Sequence, residues 1–352
     1  MTTTAPSFMP GDVRTRADIR KELGGSPYGG ICPSKEKKTV ILYSDLSAGK
    51  QYGYRDGWLK EDDDLGPVFE YTGAGTRGDQ AFGGDFGKGN SAVLEHATEG
   101  RTIHLFIGEG KVPGTSTRTH RYIGCFKVDE DRPYFLRQAL DENREKRNII
   151  VFRLRPIGLV YRADADFVPP APETKVTFVR SKAARRFEVP KRWRKAREQD
   201  SSKATVIARK REDLTSDFEA VLTEESHQVG RVEVQIEGKS DALFADLFDK
   251  DRNTLYEASG SVSRHDLKAT LMQLLDISRY VRFPESGLPL RLMALLPELP
   301  DDDIRGLLTE NNVGIIYRDE TGGFSEFHSP RRAPATGGTA PIPCVGCPAL
   351  AS

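Results

Sequence analysis

Residues 52–90, YGYRDGWLKEDDDLGPVFEYTGAGTRGDQAFGGDFGKGN, constrain the fold more than any other stretch of the chain. Ten glycines fall within it and keep the backbone free to turn. Among them stand Tyr52, Tyr54, Trp58 and Tyr71, interspersed with Asp56 and Thr72. Two readings fit. In one, the rings are the core of a hairpin-rich barrel. In the other, two aromatic faces grip a flat base taken out of a duplex, with a carboxylate and a hydroxyl at its edge. Stacking then supplies about 1–3 kcal/mol per base, and the carboxylate accepts from an exocyclic amine such as cytosine N4.

The order of the residues favours the second reading. Tyr71-Thr72-Gly73-x-Gly75, then Gly78-Asp79-Gln80, then Gly89-Asn90-Ser91-Ala92-Val93-Leu94 resembles the modified-cytosine-binding domain called SRA (SET and RING associated). The version at the head of methyl-directed, type IV restriction endonucleases of actinomycetes is the nearest in pattern. Gly53 to Trp58 upstream, the apolar run 40–44, the exit Tyr28-Gly29-Gly30-Ile31 and the run 102–106 fit as well. The resemblance covers about residues 11–160. It implies an α+β domain with a curved sheet or β-barrel.

At 352 residues the chain suits two domains and a linker. No apolar run approaches the ~20 residues that span a bilayer, and the start, MTTTAPSFMPGD, lacks the basic and apolar regions of a secretory signal. The expected location is therefore the cytoplasm, at the nucleoid, with no membrane partner. Four cysteines, two far apart and two in the tail, make no disulfide framework. A formal net charge of zero hides an asymmetry. Residues 175–211 hold fourteen Lys/Arg against three Asp/Glu, whereas residues 212–326 hold 24 acidic and 11 basic residues. A basic segment that meets a polyanion and an acidic domain that does not are expected.

The pattern predicts a disordered lead at 1–10, an SRA-like domain at 11–165, a Pro-rich then basic linker at 166–211, an α/β domain at 212–328 and a disordered tail at 329–352. Within the first domain, strands are expected at 38–43, 67–71, 101–107, 122–128 and 148–154. Helices are expected at 15–23 and 90–96, with a polar helical piece at 133–145. In the second, strands are expected near 232–236, 245–248 and 253–258, and an apolar-periodic helix at 264–281.

The resemblance implies a pocket in which flipped 5-methylcytosine lies between two rings. Tyr71 and Thr72 fall on the second aromatic and its Thr, and Tyr54 on the first aromatic. Asp56 falls on the carboxylate, although it follows Tyr54 by two residues where many relatives use three. Asp62, Asp63 and Asp64 are competing carboxylates. Trp58 either stacks or is core. Arg55, Arg77, Lys88, Arg118 and Arg121 are candidates for the DNA backbone, whose contacts make binding salt-dependent. Residues 82–89 are a candidate loop to fill the vacated stack. Extrusion costs a few kcal/mol, and a fitted methyl returns about 0.8 kcal/mol, so methyl discrimination of several-fold to about tenfold is expected. No metal or cofactor is needed. Residues 73–78 also match GxGxxG, but the glycine-rich run 79–88 is not expected to open a helix, which argues against a dinucleotide site.

In the second domain, Asp246, then Glu257-Ala258-Ser259-Gly260, then Gln273 resembles the PD-(D/E)xK nuclease core, in a restriction-endonuclease-like α/β fold. That family chelates Mg²⁺ with the two carboxylates and places a Lys two residues after the Glu. Here that position is Ser259, which supplies no positive charge beside the reacting phosphate. A degenerate, non-cleaving domain is expected, one that mediates oligomerisation or partner binding. The alternatives are a Mg²⁺-dependent, methyl-directed endonuclease in which Lys250 or Lys268 substitutes, and a binder of modified RNA. Cys344-Val345-Gly346-Cys347 stands alone and does not make a zinc site, and the six scattered histidines assemble no HNH motif. The basic stretch is either a solvated linker or a DNA contact, and Trp193 within it is a candidate anchor onto a domain.

Overall fold

The computed structural model describes residues 6–63, 65–180, 190, 192–193, 195–196, 202–283 and 287–327. The expectations for the tail, including Cys344 and Cys347, and for Asp64 lie outside the described residues. Two sheets organise the rest. The first is nine-stranded: β1 (Val13–Thr15), β2 (Ile31–Ser34), β3 (Thr39–Ser44), β4 (Gly57–Trp58), β5 (Phe69–Thr72), β6 (Thr102–Lys111), β7 (Arg118–Val128), β8 (Tyr134–Leu140) and β9 (Lys146–Val160). Its path is β2-β3-β6-β7-β9-β5-β4, with β1 on β7 and β8 on β9. Only β3 and β6 run parallel; the other pairs are antiparallel. β8 and β7 follow each other along one edge of β9, and β5 takes the other edge.

Three helices belong to this sheet: α1 (Arg16–Leu23), the single turn α2 (Leu46–Gly49) and α3 (Gly84–Leu94). α1 opens with a reciprocal capping box between Thr15 and Asp18, and it buries Ile19 and Leu23. The alternating faces of the strands bury Val40, Leu42, Phe69, Leu105, Phe126 and Phe152 in one core.

The second sheet has seven strands in chain order: β10 (Lys175–Arg180), β11 (Val229–Gln235), β12 (Ala242–Asp249), β13 (Thr254–Ala258), β14 (Arg291–Leu296), β15 (Val313–Arg318) and β16 (Phe324–Phe327). β10 to β13 form an antiparallel meander, whereas β13, β14 and β15 run parallel. α5 (Arg264–Ser278) and α6 (Asp302–Glu310) are the crossovers and cover one face, burying Leu267, Leu271, Leu274, Ile304 and Leu308. α4 (Lys203–Glu224) covers the other through Leu214, Phe218 and Leu222. Gly260, after β13, lies so close to α4 that an added Cβ would meet the Ile207 carbonyl oxygen at 1.9 Å.

Three expectations are corrected. Residues 134–140 are strand β8, not a helix. Residues 84–94 are helix α3, so 82–89 is no free loop; Phe82 is buried in the core. Two of its glycines serve close packing: a Cβ at Gly87 would meet the Phe82 carbonyl carbon at 2.6 Å, and one at Gly89 would meet Ile31 at 3.2 Å. The second sheet begins at Lys175, inside the stretch expected as linker, and α4 starts at Lys203. β5 lies between antiparallel neighbours, and α3 opens eleven residues after Gly73. The dinucleotide geometry, with its parallel strand-turn-helix unit, is therefore absent at residues 73–78.

The sheets pack on one another. The outward face of β5 presents Glu70, which pairs with Arg137 of β8 at 3.0 Å; Arg137 also binds Glu233 of β11 at 2.9 Å. All three side chains are buried. Phe135 meets Phe244 with ring centroids 4.3 Å apart, and the Lys60 N–H donates to Ser240 Oγ at 2.7 Å.

Candidate functional site

Asp56 sits at the C-terminal ends of β3 and β5. Its carboxylate accepts from the Ser44 hydroxyl and from the Thr72 N–H, each at 2.8 Å, and from the Thr72 hydroxyl. A carboxylate has about four acceptor positions, so one is left for an incoming donor. Protein encloses the carboxylate, although the residue as a whole is only partly buried. Burial pushes its carboxyl above the usual range, while the Ser44 and Thr72 donors pull it back. Of the competing carboxylates, Asp63 is held by Arg155 and Arg153, and Asp62 pairs with Arg162 at 3.4 Å.

Tyr54 stands beside Asp56, half-buried, its ring 5.7 Å from that of Tyr52. Its hydroxyl donates to the Gly75 carbonyl at 2.7 Å and accepts from Arg147 Nη2 at 2.9 Å. Burial is the main reason its hydroxyl is pushed above the usual tyrosine range. Gln80 Nε2 donates to the Gly73 and Gly75 carbonyls, and Asn90 bonds both the N–H and the C=O of Ala74. Arg147 reaches the Gly75 and Gly78 carbonyls. These three side chains hold the 73–78 loop and Tyr54 in one geometry. Gln80 and Asn90 stand in the sequence motif without a role, and Arg147 gives no sequence signal.

The expected two-ring wall is only half open. Tyr71 is 3% exposed, with its ring in the core and its hydroxyl donating to the Gly30 carbonyl at 3.0 Å. The backbone at Gly30 therefore closes over it. Trp58 is fully buried against Phe69 and Phe126 and is core, not a stacking face.

The backbone candidates divide as well. Arg77 and Arg118 are largely exposed on the rim, paired with Glu142 and Asp45 respectively. Such exposed pairs are worth about 0–1 kcal/mol, which a phosphate can displace. Lys88 is exposed on α3. Arg121 is instead locked in the interior by two bonds to Asp166, at 2.9 and 2.8 Å, and one to Glu109. Arg55 donates to the Pro169 carbonyl and lies beside the Glu70–Arg137–Glu233 group. Both guanidiniums are thus engaged by protein groups.

In the second sheet, Asp246 and Glu257 are neighbours on β12 and β13. The Asp246 N–H points at Glu257 Oε2 at 3.4 Å, and the Ala258 N–H donates to Asp246 Oδ2 at 3.2 Å. Ser259 is buried and turned onto its own loop, donating to the Ser261 carbonyl; Gln273 donates to the Phe244 carbonyl. Arg132, from the β7–β8 turn, approaches Glu257 at 3.9 Å. Arg211 of α4 lies beside both carboxylates and pairs with Asp131 at 3.4 Å. Burial, and then Asp246, push the Glu257 carboxyl up to about 8. The Arg132 and Arg211 guanidiniums already balance the two carboxylates, so these residues as arranged do not fit Mg²⁺. Lys268 is exposed on α5, and Lys250 is four residues along from Asp246, beyond the end of β12.

Among the described residues, His227, Asp249 and Asp251 are the group close enough to hold an ion. Their ligand atoms are taken: His227 Nδ1 bonds Asp249 at 2.6 Å, backbone N–H groups of Asp251 and Arg252 cap Asp249, and Gln228 caps Asp251. No helix among the described residues is long and apolar enough to cross a membrane.

A family model, the SRA domain of ScoMcrA-like proteins, matches residues 10–166. No curated protein matches the chain. Among solved structures, the type IV phosphorothioation-dependent restriction endonuclease ScoMcrA is 21% identical, with TM-score 0.31, over 44% of this chain and 29% of its own. The DNA recognition domain of the cytosine modification-dependent restriction endonuclease LpnPI is 15% identical, with TM-score 0.33, over 44% of this chain and 75% of its own. The SUVH5 SRA domain, solved with hemimethylated CG DNA, is 16% identical, with TM-score 0.29, over 46% of this chain and 96% of its own. The chain thus spans under a third of the length of ScoMcrA. Residues 10–166, with Tyr71-Thr72-Gly73 at the end of β5 and Asp56 bonded to it, are an SRA domain of the ScoMcrA-like family.

Proposed function

We propose that this protein binds duplex DNA carrying a modified cytosine, with the base turned out toward Asp56, Tyr54 and Thr72. One observation carries the reading: Asp56 is clamped by Ser44 and Thr72 with an acceptor position to spare, inside the domain that matches the SRA family. That position suits an exocyclic amine. The base stacks on Tyr54, and the backbone at Gly30 shifts to bare Tyr71. Arg77, Arg118 and Lys88 meet the phosphates.

The second domain, in this reading, does not cleave. Its helix–three-strand meander–helix–parallel strand order, α4-β11-β12-β13-α5-β14, agrees with a restriction-endonuclease-like ancestry. Arg132 and Arg211 beside Asp246 and Glu257, together with Ser259, argue against a working metal site. The strand order is also the one observation that favours an active nuclease, in which both arginines would have to withdraw.

Paired duplexes, with and without one 5-methylcytosine, test the reading at two salt concentrations. The modified duplex should bind several-fold to about tenfold tighter. Asp56→Asn and Tyr54→Ala should each remove at least tenfold of that affinity, and equal binding of the two duplexes by wild type refutes the pocket. Incubation of methylated plasmid with Mg²⁺ or Mn²⁺ should leave it uncut; cutting that is lost in Glu257→Ala establishes the nuclease instead.

A further inference from the structure

The basic segment between the two sheets is absorbed neither by the pocket nor by the second domain. The structure shows where its described part lies. Trp193 packs against the first core, and its backbone N–H donates to Glu95 at the end of α3. Arg192, beside it, pairs with Glu99 at 3.1 Å. This anchoring brings Arg192 to a recess of about 490 Å³ shared with Lys35, Lys38, Arg101, Thr98 and Glu99. Four cations and one carboxylate line it, and Glu95 lies close to Arg192 and Arg101. Arg101 is nearly buried and taken by Glu99, whereas Lys35, Lys38 and Arg192 are exposed.

The position of this recess decides its partner. Lys38 immediately precedes β3 and Arg101 immediately precedes β6, two strands that run parallel in register from Thr39↔Thr102 to Ser44↔Ile107. Ser44, at the far end, bonds Asp56. The recess and the pocket therefore occupy opposite ends of the same two strands, about 17 Å apart at ~3.3 Å per residue. A duplex is stiff over about 150 base pairs, so one seated across the Ser44 end of the strands meets the Lys38 end only if it lies along them.

We propose that Lys35, Lys38 and Arg192 form a second site, which binds the phosphate backbone of another DNA segment and lets one protein hold two duplexes. The partner class rests on the DNA-binding reading above, but the site itself does not depend on base extrusion. Binding of this kind carries no sequence information and is salt-sensitive.

The test uses the full chain and the variant Lys35→Gln/Lys38→Gln/Arg192→Gln. A bead-bound duplex with one 5-methylcytosine is loaded with protein and offered a labelled unmodified duplex. Wild type should retain the label, and the variant should retain at least tenfold less. Affinity for a single methylated duplex should change less than twofold, because the pocket is untouched. The salt slope for capture of the second duplex should fall by about 0.9 for each phosphate that the variant no longer neutralises. Retention by the variant equal to that of wild type overturns the proposal and assigns any bridging to self-association. Wild type that binds the methylated duplex but captures no second one overturns it while leaving the pocket standing. Wild type that captures duplex irrespective of methylation keeps this site and overturns the pocket.

Discussion

Arg137→Met should be among the most damaging single substitutions in this protein. The Arg137 side chain is 6% exposed and is the shared partner of Glu70 and Glu233, which are 1% and 3% exposed. Methionine fills much of the same volume but leaves two carboxylates buried without their cation. Breaking one buried pair in this way costs about 3–5 kcal/mol. Only one charge is removed here, and Glu70 can take up a proton, so the loss lies between that of one broken pair and that of two, in the lower part of that span, roughly 4–6 kcal/mol. At about 2–4 °C per kcal/mol for domains of this size, Tm should fall by more than about 8 °C. Burial already pushes the Glu70 carboxyl up, against the pull of Arg137. Without the arginine that rise grows, and the folded state then binds more protons than the unfolded one above the ordinary glutamate range. Stability of the variant should therefore recover as pH falls from 7 towards 5. The triple variant Arg137→Met/Glu70→Gln/Glu233→Gln should regain most of the loss, since replacing a whole buried charge group by neutral isosteres is often nearly neutral. Thermal melts at pH 5 and 7 measure both. A loss below about 1 kcal/mol in the single variant at pH 7 refutes the reasoning.

Gly260→Ala should cost about 1–3 kcal/mol, the usual range for overpacking, because its Cβ would press on the Ile207 carbonyl at 1.9 Å; a urea midpoint that does not move contradicts this packing. His96, His104 and His120 are buried, and burial lowers each of them to about 4. Between about pH 4 and the ordinary histidine range the unfolded chain then binds more protons than the folded one, so stability should rise with pH across that window and be lost on acidification. Denaturation followed at pH 7, 6 and 5 checks the sign. Trp58→Phe should lower stability by about 1–3 kcal/mol and leave the ratio of affinities for modified and unmodified duplex unchanged; a changed ratio would return Trp58 to the pocket. Arg147→Lys, which cannot bond the Gly75 and Gly78 carbonyls and Tyr54 together, should weaken binding of modified DNA more than of unmodified DNA in a titration.

Much of the first sheet is legible because its strands are short, mostly apolar and β-branched runs: 38–43, 101–107 and 122–128 are buried along most of their length. Helix α5 shows itself by the spacing of Leu267, Leu271 and Leu274. β8 is hidden because both of its faces are covered. Leu136 packs on the first core while Phe135 and Arg137 face the second domain, so charged and apolar residues mix along it. α3 is hidden for a different reason. Glycine reads as a turn former, whereas Gly87 serves close approach to the Phe82 backbone. At the site, Asp56 and Thr72 follow from motif order, and the structure joins them. The covering of Tyr71 by Gly30 arises from residues 41 apart. Arg121 and Arg55 look like DNA ligands because sequence shows a charge but not its partner, here Asp166 for the one and the Pro169 carbonyl for the other.

β5 is a strand with two allegiances: Tyr71 turns inward to the first core, while Glu70, the next residue back, reaches out to Arg137 and so to Glu233 in the other half of the molecule. The SRA domain is therefore not a portable module here. Transplanted alone onto another protein, it would carry a bared ion pair between β5 and β8 and a Phe135 without its Phe244 partner. Whoever wishes to borrow it must either bring the acidic half along or neutralise Glu70 and Arg137 together.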